Sequence, residues 1–142
     1  MQELWAGDWT KGPAGGYGTA ETDWTQNADR FDRKAGLIAE STKWTFDTVT
    51  DNAPIVYQIR QGIHYGLNPQ SEASRLVNGR ELTADDVVFV MQQRVSDPAS
   101  YVYLTNPETR VAVITKTGPW EVTVKIPASA LMSTINRLNS TS

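Results

Sequence analysis

The chain has 142 residues, which is enough for one domain with a buried core. Its hydrophobic fraction of 39% and charged fraction of 20% are typical of a soluble globular protein and suggest neither disorder nor membrane residence. The net charge of −3 gives no general electrostatic attraction for nucleic acid or an anionic membrane surface. The absence of cysteine excludes disulfides and thiolate metal sites but leaves the compartment open.

The first 36 residues match neither the helical nor the strand period, so an irregular segment with at most one short helix is predicted. The segment carries Trp5, Trp9 and Trp24 and a glycine-rich run at residues 12–18. This density of aromatic residues favours rings packed on the domain over a disordered tail. The N-terminal residues have neither the basic nor the apolar region of an export signal, and no apolar run is long enough to span a membrane.

Alternating apolar residues predict two antiparallel hairpins. The first has a turn at residues 51–54, between a strand carrying Trp44, Phe46 and Thr48 and a strand carrying Ile55, Tyr57 and Ile59. The second has its turn at residues 118–119. Its strands carry Val111 and Val113 on one side of the turn and Trp120, Val122, Val124 and Ile126 on the other.

Helical spacing predicts a helix from Ala84 to Val95 and a final helix from Pro127 through Leu138. Residues 62–82 are rich in Gly, Pro, Ser and Asn, and we expect them to form a loop. The pattern predicts a single α+β domain over residues 1–142, with antiparallel hairpins packed against two or three helices.

The segment that leads into the first predicted helix is the most informative part of the chain. Asn78 and Gly79 favour positive φ at a turn, and Thr83 is the expected N-cap. Asp85 and Asp86 then fall in the first helical turn, where the helix dipole favours negative charge. Neighbouring residues on a helix point about 100° apart, so this acidic pair is interpreted as structural rather than catalytic.

Few residues suggest chemistry, and we predict no catalytic residue, no metal site and no cofactor. His64 is the only histidine, and we interpret it as a loop residue that makes one hydrogen bond. Tyr101 and Tyr103 lie in a predicted loop at residues 100–106, where tyrosine rings suit ligand contact. A loop anchored to the domain by these two rings is the alternative that stays open.

Read in order, several blocks resemble the family 5 extracellular solute-binding proteins of ABC transporters, the oligopeptide- and dipeptide-binding type. Residues 35–41 (AGLIAES), followed by Trp44, resemble the family's P-x-L-A-E-S-W block, and residues 57–63 (YQIRQGI) resemble its F-x-L-R-x-G-V strand. Residues 78–89 (NGRELTADDVVF) resemble D-G-x-P-L-T-A-E-D-V-V-F, the most specific block. The strand pair at 111–126 and the helix at 131–138 follow in the family's order. About a dozen residues are added before Asn78.

The resemblance implies the domain inserted near the N-terminal end of the first lobe in a periplasmic-binding-protein type II-like (cluster C) architecture. Residues 37–138 would form the family-like body. The implied function is non-catalytic: the full-length protein captures a solute, foremost a peptide, and delivers it to an ABC permease. The implied partners are the remaining lobes, the permease and the solute, and the implied location is the periplasm or the cell surface as a lipoprotein. In the oligopeptide-binding branch of the family, a tyrosine in the loop after the D-V-V-F helix, predicted here from Ala84 to Val95, lies near the bound peptide. The resemblance implies that Tyr101 or Tyr103 would take this role.

Two other functions stay open from the residues alone. A free-standing module could use its aromatic side chains to bind carbohydrate or peptide. A hydrolase could use His64 with an acid as its orienting partner, although no nucleophile motif accompanies it.

Overall fold

A four-stranded antiparallel sheet forms the centre of the domain. The computed structural model describes residues 3–8 and 34–139, so Trp9, Trp24 and the glycine-rich run lie outside the described residues. The sheet has the order β3-β4-β6-β5. Its strands are β3 (Ala39–Trp44), β4 (Ala53–Ile59), β5 (Val113–Gly118) and β6 (Glu121–Ile126). A separate two-stranded sheet pairs β1 (Trp5–Gly7) with β2 (Lys34–Gly36).

The antiparallel pairing of both predicted hairpins is confirmed, and the sheet arises where they meet, but Val111 and Trp120 were wrongly assigned to strands, since β5 begins at Val113 and β6 at Glu121. Strand β3 pairs with β4, and β5 pairs with β6, each in antiparallel register. The hairpins join through β4 and β6, where Ile55 lies opposite Val124 and Tyr57 opposite Val122. These side chains share one face of the sheet because residues alternate between faces along a strand. That face is the core, and Tyr57 is completely buried in it.

Four α-helices accompany the sheet within the described residues: α1 (Glu72–Val77), α2 (Ala84–Ser96), α3 (Tyr101–Thr105) and α4 (Leu131–Asn139). Short 3₁₀ turns cover Pro107–Val111 and Ala128–Ala130. The helix predicted from Ala84 is confirmed, and it buries the residues that recur at helical spacing, namely Ala84, Val87, Met91 and Val95. Leu131, Ile135 and Leu138 of α4 complete the core. The domain is therefore α+β, as the pattern predicts.

The first predicted strand was placed too late in the chain. Strand β3 ends at Trp44, and Phe46 beyond it is exposed. The chain turns because the Asp47 carboxylate accepts hydrogen bonds from the backbone N–H groups of Val49 and Thr50. Such a side-chain bond to the nearby backbone competes with the strand ladder and stabilises a turn instead.

Both segments predicted to be loops contain a helix. Residues 62–82 include α1, which begins at the Ser71 cap and ends at Asn78 in the left-handed conformation with φ of 49°. Residues 100–106 include α3, which lies between Pro98 and Pro107. Helices of five or six residues are too short to establish a 3.6-residue period, so pattern analysis cannot detect them.

The two ends of the described chain meet through a pair of buried hydrogen bonds. The backbone N–H of Trp5 donates to Oδ1 of Asn139 at 2.9 Å, and Nδ2 of Asn139 donates to the Trp5 carbonyl at 3.3 Å. The Trp5 ring stacks on Tyr57 with 6.2 Å between centroids. The side-chain amide of Asn139 thus pairs with the backbone of β1 at Trp5, as a neighbouring strand would. Asn139 is fully buried.

Replacement of Asn139 by Ala should lower the free energy of unfolding by about 1–3 kcal/mol, because it removes two hydrogen bonds between the buried amide and the backbone of Trp5. Urea denaturation of the full chain measures the change. The control is Arg137→Ala, an exposed residue of the same helical turn, which should change stability by less than about 0.5 kcal/mol. Equal effects of the two variants would contradict this role for Asn139.

Candidate functional site

An apolar cleft of about 340 Å³ opens between α2 and the segment at residues 63–66. Residues from the two ends of the described chain complete its wall, since Leu4 and Leu138 line it together with Ile38. The face of α2 contributes Val87, Val90 and Met91 to the lining. The size and the apolar lining are those of a small-molecule binding site.

Four polar or charged side chains interrupt this apolar lining: His64, Tyr65, Asp86 and Arg94. Asp86 and Arg94 lie eight residues apart on α2, a separation of about 12 Å along the helix axis. The cleft therefore has an acidic residue near the start of α2 and a basic residue two turns later. Their surroundings determine which of the two charges is available to a ligand.

The Asp86 carboxylate is fully engaged by neighbouring donors. It accepts two hydrogen bonds from the guanidinium of Arg80, at 2.8 and 2.5 Å, and one from the backbone N–H of Thr83 at 2.9 Å. Thr83 and Asp86 form a capping box at the start of α2. The hydrogen bonds from Arg80 lower the pKa of Asp86 from its usual value of 3.8 to about 2. Arg80 also lies 5.0 Å from the centre of the Tyr65 ring, which joins the cleft wall to this cap.

Arg94 has a different environment at the other end of the cleft. Its side chain is partly buried, and its Nη1 donates to the backbone carbonyl of Arg137 at 3.3 Å. Burial lowers the pKa of its guanidinium. None of the ion pairs found among the described residues involves Arg94. Among the described residues, the guanidinium of Arg94 therefore has a backbone carbonyl as its hydrogen-bond partner and no carboxylate in an ion pair with it.

His64 lies at the edge of the cleft with one ring nitrogen occupied. Its Nδ1 is 2.9 Å from the carbonyl oxygen of Gly79, so Nδ1 carries the hydrogen and donates it. His64 also forms an isolated antiparallel bridge with Glu81, which holds the cleft wall against the start of α2. This agrees with the prediction of a histidine held by one hydrogen bond.

The two tyrosines predicted to contact ligand lie away from this cleft, and the structure does not bring them together. Tyr101 begins α3 with 61% of its surface exposed, whereas Tyr103 is half-buried. The Arg110 guanidinium lies 4.1 Å from the centre of the Tyr103 ring. Residues two apart on a helix point about 200° apart, so these rings do not form one platform.

The remaining residues of the predicted signature have structural surroundings. Asn78 and Gly79 both adopt positive φ, of 49° and 66°, as the turn prediction requires. Asp85 points away from Asp86 and pairs with Lys116 of β5 at 2.6 Å. Asp85 thus fastens α2 to the edge of the sheet, while Asp86 caps the helix.

Comparison with known proteins identifies no relative: no family model, no curated protein and no solved structure matches this chain. Within residues 3–8 and 34–139, no helix is long and apolar enough to cross a membrane. The same residues contain no group of three or more His, Asp and Glu side chains that could hold a metal ion.

The unequal roles of the two acids give a pH-dependent prediction. The Asp86 side chain is only 16% exposed, whereas that of Asp85 is 69% exposed. At neutral pH, Asp86→Asn should therefore lower the free energy of unfolding by about 0.5–2 kcal/mol, which is more than the effect of Asp85→Asn. The folded-state pKa of Asp86 lies below its usual value. Its ionised form therefore favours the fold above pH 3.8, and that contribution is lost as the pH falls towards about 2.

Urea denaturation of the wild type, Asp86→Asn and Asp85→Asn across this pH range measures the difference. The gap between the wild type and Asp86→Asn should close as Asp86 becomes protonated, and Asp85→Asn serves as the exposed control. A gap that stays constant across the interval would show that Asp86 does not act through its charge.

Proposed function

We propose that the chain is the inserted, non-catalytic domain of a family 5 solute-binding protein of an ABC transporter. The full-length protein would capture a solute, foremost a peptide, outside the cytoplasm by closing two lobes around it and would deliver it to the permease. This domain would pack against the first lobe and contribute no bond-making chemistry. The proposal includes the type II binding-protein architecture for the whole protein, of which this α+β unit is one part.

The observation that carries the proposal is the closure of the domain at its two ends. Trp5 and Asn139 are joined by hydrogen bonds at 2.9 and 3.3 Å, so these two positions, near the ends of the described residues, lie side by side. An inserted domain requires this geometry, because its host must continue on both sides of the insertion without being pulled apart. Leu4 and Leu138, beside these residues, face the same cleft.

A second support is that the blocks resembling the family contact one another. Arg60, from the block at residues 57–63, donates through Nε to the carbonyl of Leu37 in the block at 35–41. The backbone N–H of Gly62 donates to the carboxylate of Glu81 in the block at 78–89. Blocks that are recognisable in order along the sequence therefore form one connected unit.

The free-standing carbohydrate-binding alternative has less support. Sugar platforms need exposed aromatic faces, and the three described tryptophans, Trp5, Trp44 and Trp120, are buried or half-buried. Tyr101 is the more exposed of the two tyrosine candidates for solute contact, and in the proposed full-length protein it would face the solute from this domain.

A domain exchange tests the proposal. Residues 3–139 replace the corresponding inserted domain of a characterised oligopeptide-binding protein, and peptide affinity is measured by titration calorimetry. We expect the chimera to keep the host's affinity within about tenfold, because the lobes make the main solute contacts. The 142-residue chain alone should bind no member of a tripeptide panel tightly, since it lacks both lobes.

The matched control is the host with its own domain cut out and reinserted through the same junctions. If this control binds peptide and the chimera does not, the inserted-domain proposal is wrong. Micromolar peptide binding by the isolated chain would also contradict it, and binding of sugars would favour the free-standing module.

A further inference from the structure

The cleft beside α2 has a chemistry that the proposed function does not use. It combines a mostly apolar lining, formed in part by Ile38, Val87 and Met91, with a partly buried guanidinium at Arg94. Its volume of about 340 Å³ lies at the lower end of the range for ligand sites, about 300–1,000 Å³. A small ligand with a short apolar body fits this space, whereas a folded partner does not enter it.

Arg94 determines the charge of such a ligand. The Arg94 guanidinium is partly removed from water, which is unfavourable unless a partner compensates for the charge, and within the described residues its one hydrogen bond goes to the carbonyl of Arg137. A guanidinium has five N–H donors in a planar fork, and among the described residues only one protein acceptor, the carbonyl of Arg137, takes a hydrogen bond from Arg94. A carboxylate is the group that matches the fork with two parallel hydrogen bonds.

The opposite end of the cleft limits the ligand to one charge. Asp86 is ionised but paired with the Arg80 guanidinium through two hydrogen bonds, which weakens its attraction for a ligand amine. Its remaining negative field would oppose a second carboxylate placed there. Tyr65 and Leu82 line the same cleft and suit an uncharged tail. These features favour a monocarboxylate over a dicarboxylate, an amine or a zwitterionic peptide.

We propose that this cleft binds a small amphipathic monocarboxylate, such as a medium-chain fatty acid. The carboxylate pairs with the Arg94 guanidinium, and the chain lies along the face of α2 that carries Val87, Val90 and Met91. Charge complementarity at Arg94 is what selects this occupant over a neutral apolar molecule or a second copy of the protein. The proposal does not depend on the solute-binding function, because it concerns a site within this domain alone.

Titration of the 142-residue chain with octanoate, and in parallel with octanol, tests the proposal. Octanol has the same tail without the charge. We expect octanoate to bind at least about tenfold more tightly than octanol, because only the carboxylate engages Arg94. Arg94→Met keeps a long, unbranched side chain at this position and removes its charge and its hydrogen-bond donors. This variant should weaken octanoate binding by about tenfold or more and leave octanol binding nearly unchanged.

Two further variants locate the ligand. Arg137→Met removes a neighbouring exposed cation that does not line the cleft, and it should leave octanoate affinity unchanged. Val90→Trp fills the cleft and should abolish binding of both molecules while circular dichroism shows that the fold is kept. Val90 suits this test because it lines the cleft and is only partly buried in the free chain.

Several results would overturn the proposal. Equal affinities for octanoate and octanol would identify a neutral apolar site, and equal losses in Arg94→Met and Arg137→Met would identify non-specific surface attraction. Failure of the wild-type chain to bind octanoate at millimolar concentration would leave no carboxylate site. A dimer in sedimentation velocity that Val90→Trp dissociates, and that octanoate does not, would make a second copy the occupant. The peptide exchange experiment is independent of all these outcomes.

Discussion

The structure depends most on the closure of the chain at Trp5. The strand that begins the described chain is only three residues long, and such a strand has little stability of its own. It is held because its backbone pairs with the buried amide of Asn139 and because the Trp5 ring packs on Tyr57 at the centre of the sheet. The ends are thereby tied to the same core that the two hairpins build. Loss of this closure would expose the largest buried side chain among the described residues.

The start of α2 is the second constraint, because it fixes both the helix and the cleft wall. Asp86 accepts from Thr83 within the helix cap and from Arg80 outside it, so one carboxylate joins the helix to the preceding turn. Arg80 in turn lies over Tyr65, and Glu81 accepts the backbone N–H of Gly62. These contacts hold the wall at residues 63–66 against the helix start. A capping motif that stabilises α2 locally also determines the shape of a possible binding site.

The sequence is informative about elements that are long or capped and much less so about the site. The helix from Ala84 and both hairpins follow from residue spacing, because their apolar faces repeat over enough residues to define a period. Helices α1 and α3 are too short for that, although the serine at position 71 is a recognisable cap. The pairing of β4 with β6 joins residues more than sixty positions apart, which no local pattern encodes. The cleft is harder still to predict from the sequence, since Leu4, Ile63 and Leu138 come together only in the folded chain.

The cleft and the closure are neighbours, and this links the two proposals physically. Leu4 precedes Trp5 and Leu138 precedes Asn139, so the wall of the cleft continues directly into the hydrogen bonds that close the domain. A carboxylate on Arg94 would lie next to the backbone carbonyl of Arg137 in the same last turn of α4. In a full-length solute-binding protein, this is where the domain would join its host lobe. A ligand in the cleft would then change the surface that the lobe contacts. The ligand would change the affinity of this domain for the lobe, and the lobe would change the affinity of the cleft for the ligand by the same factor.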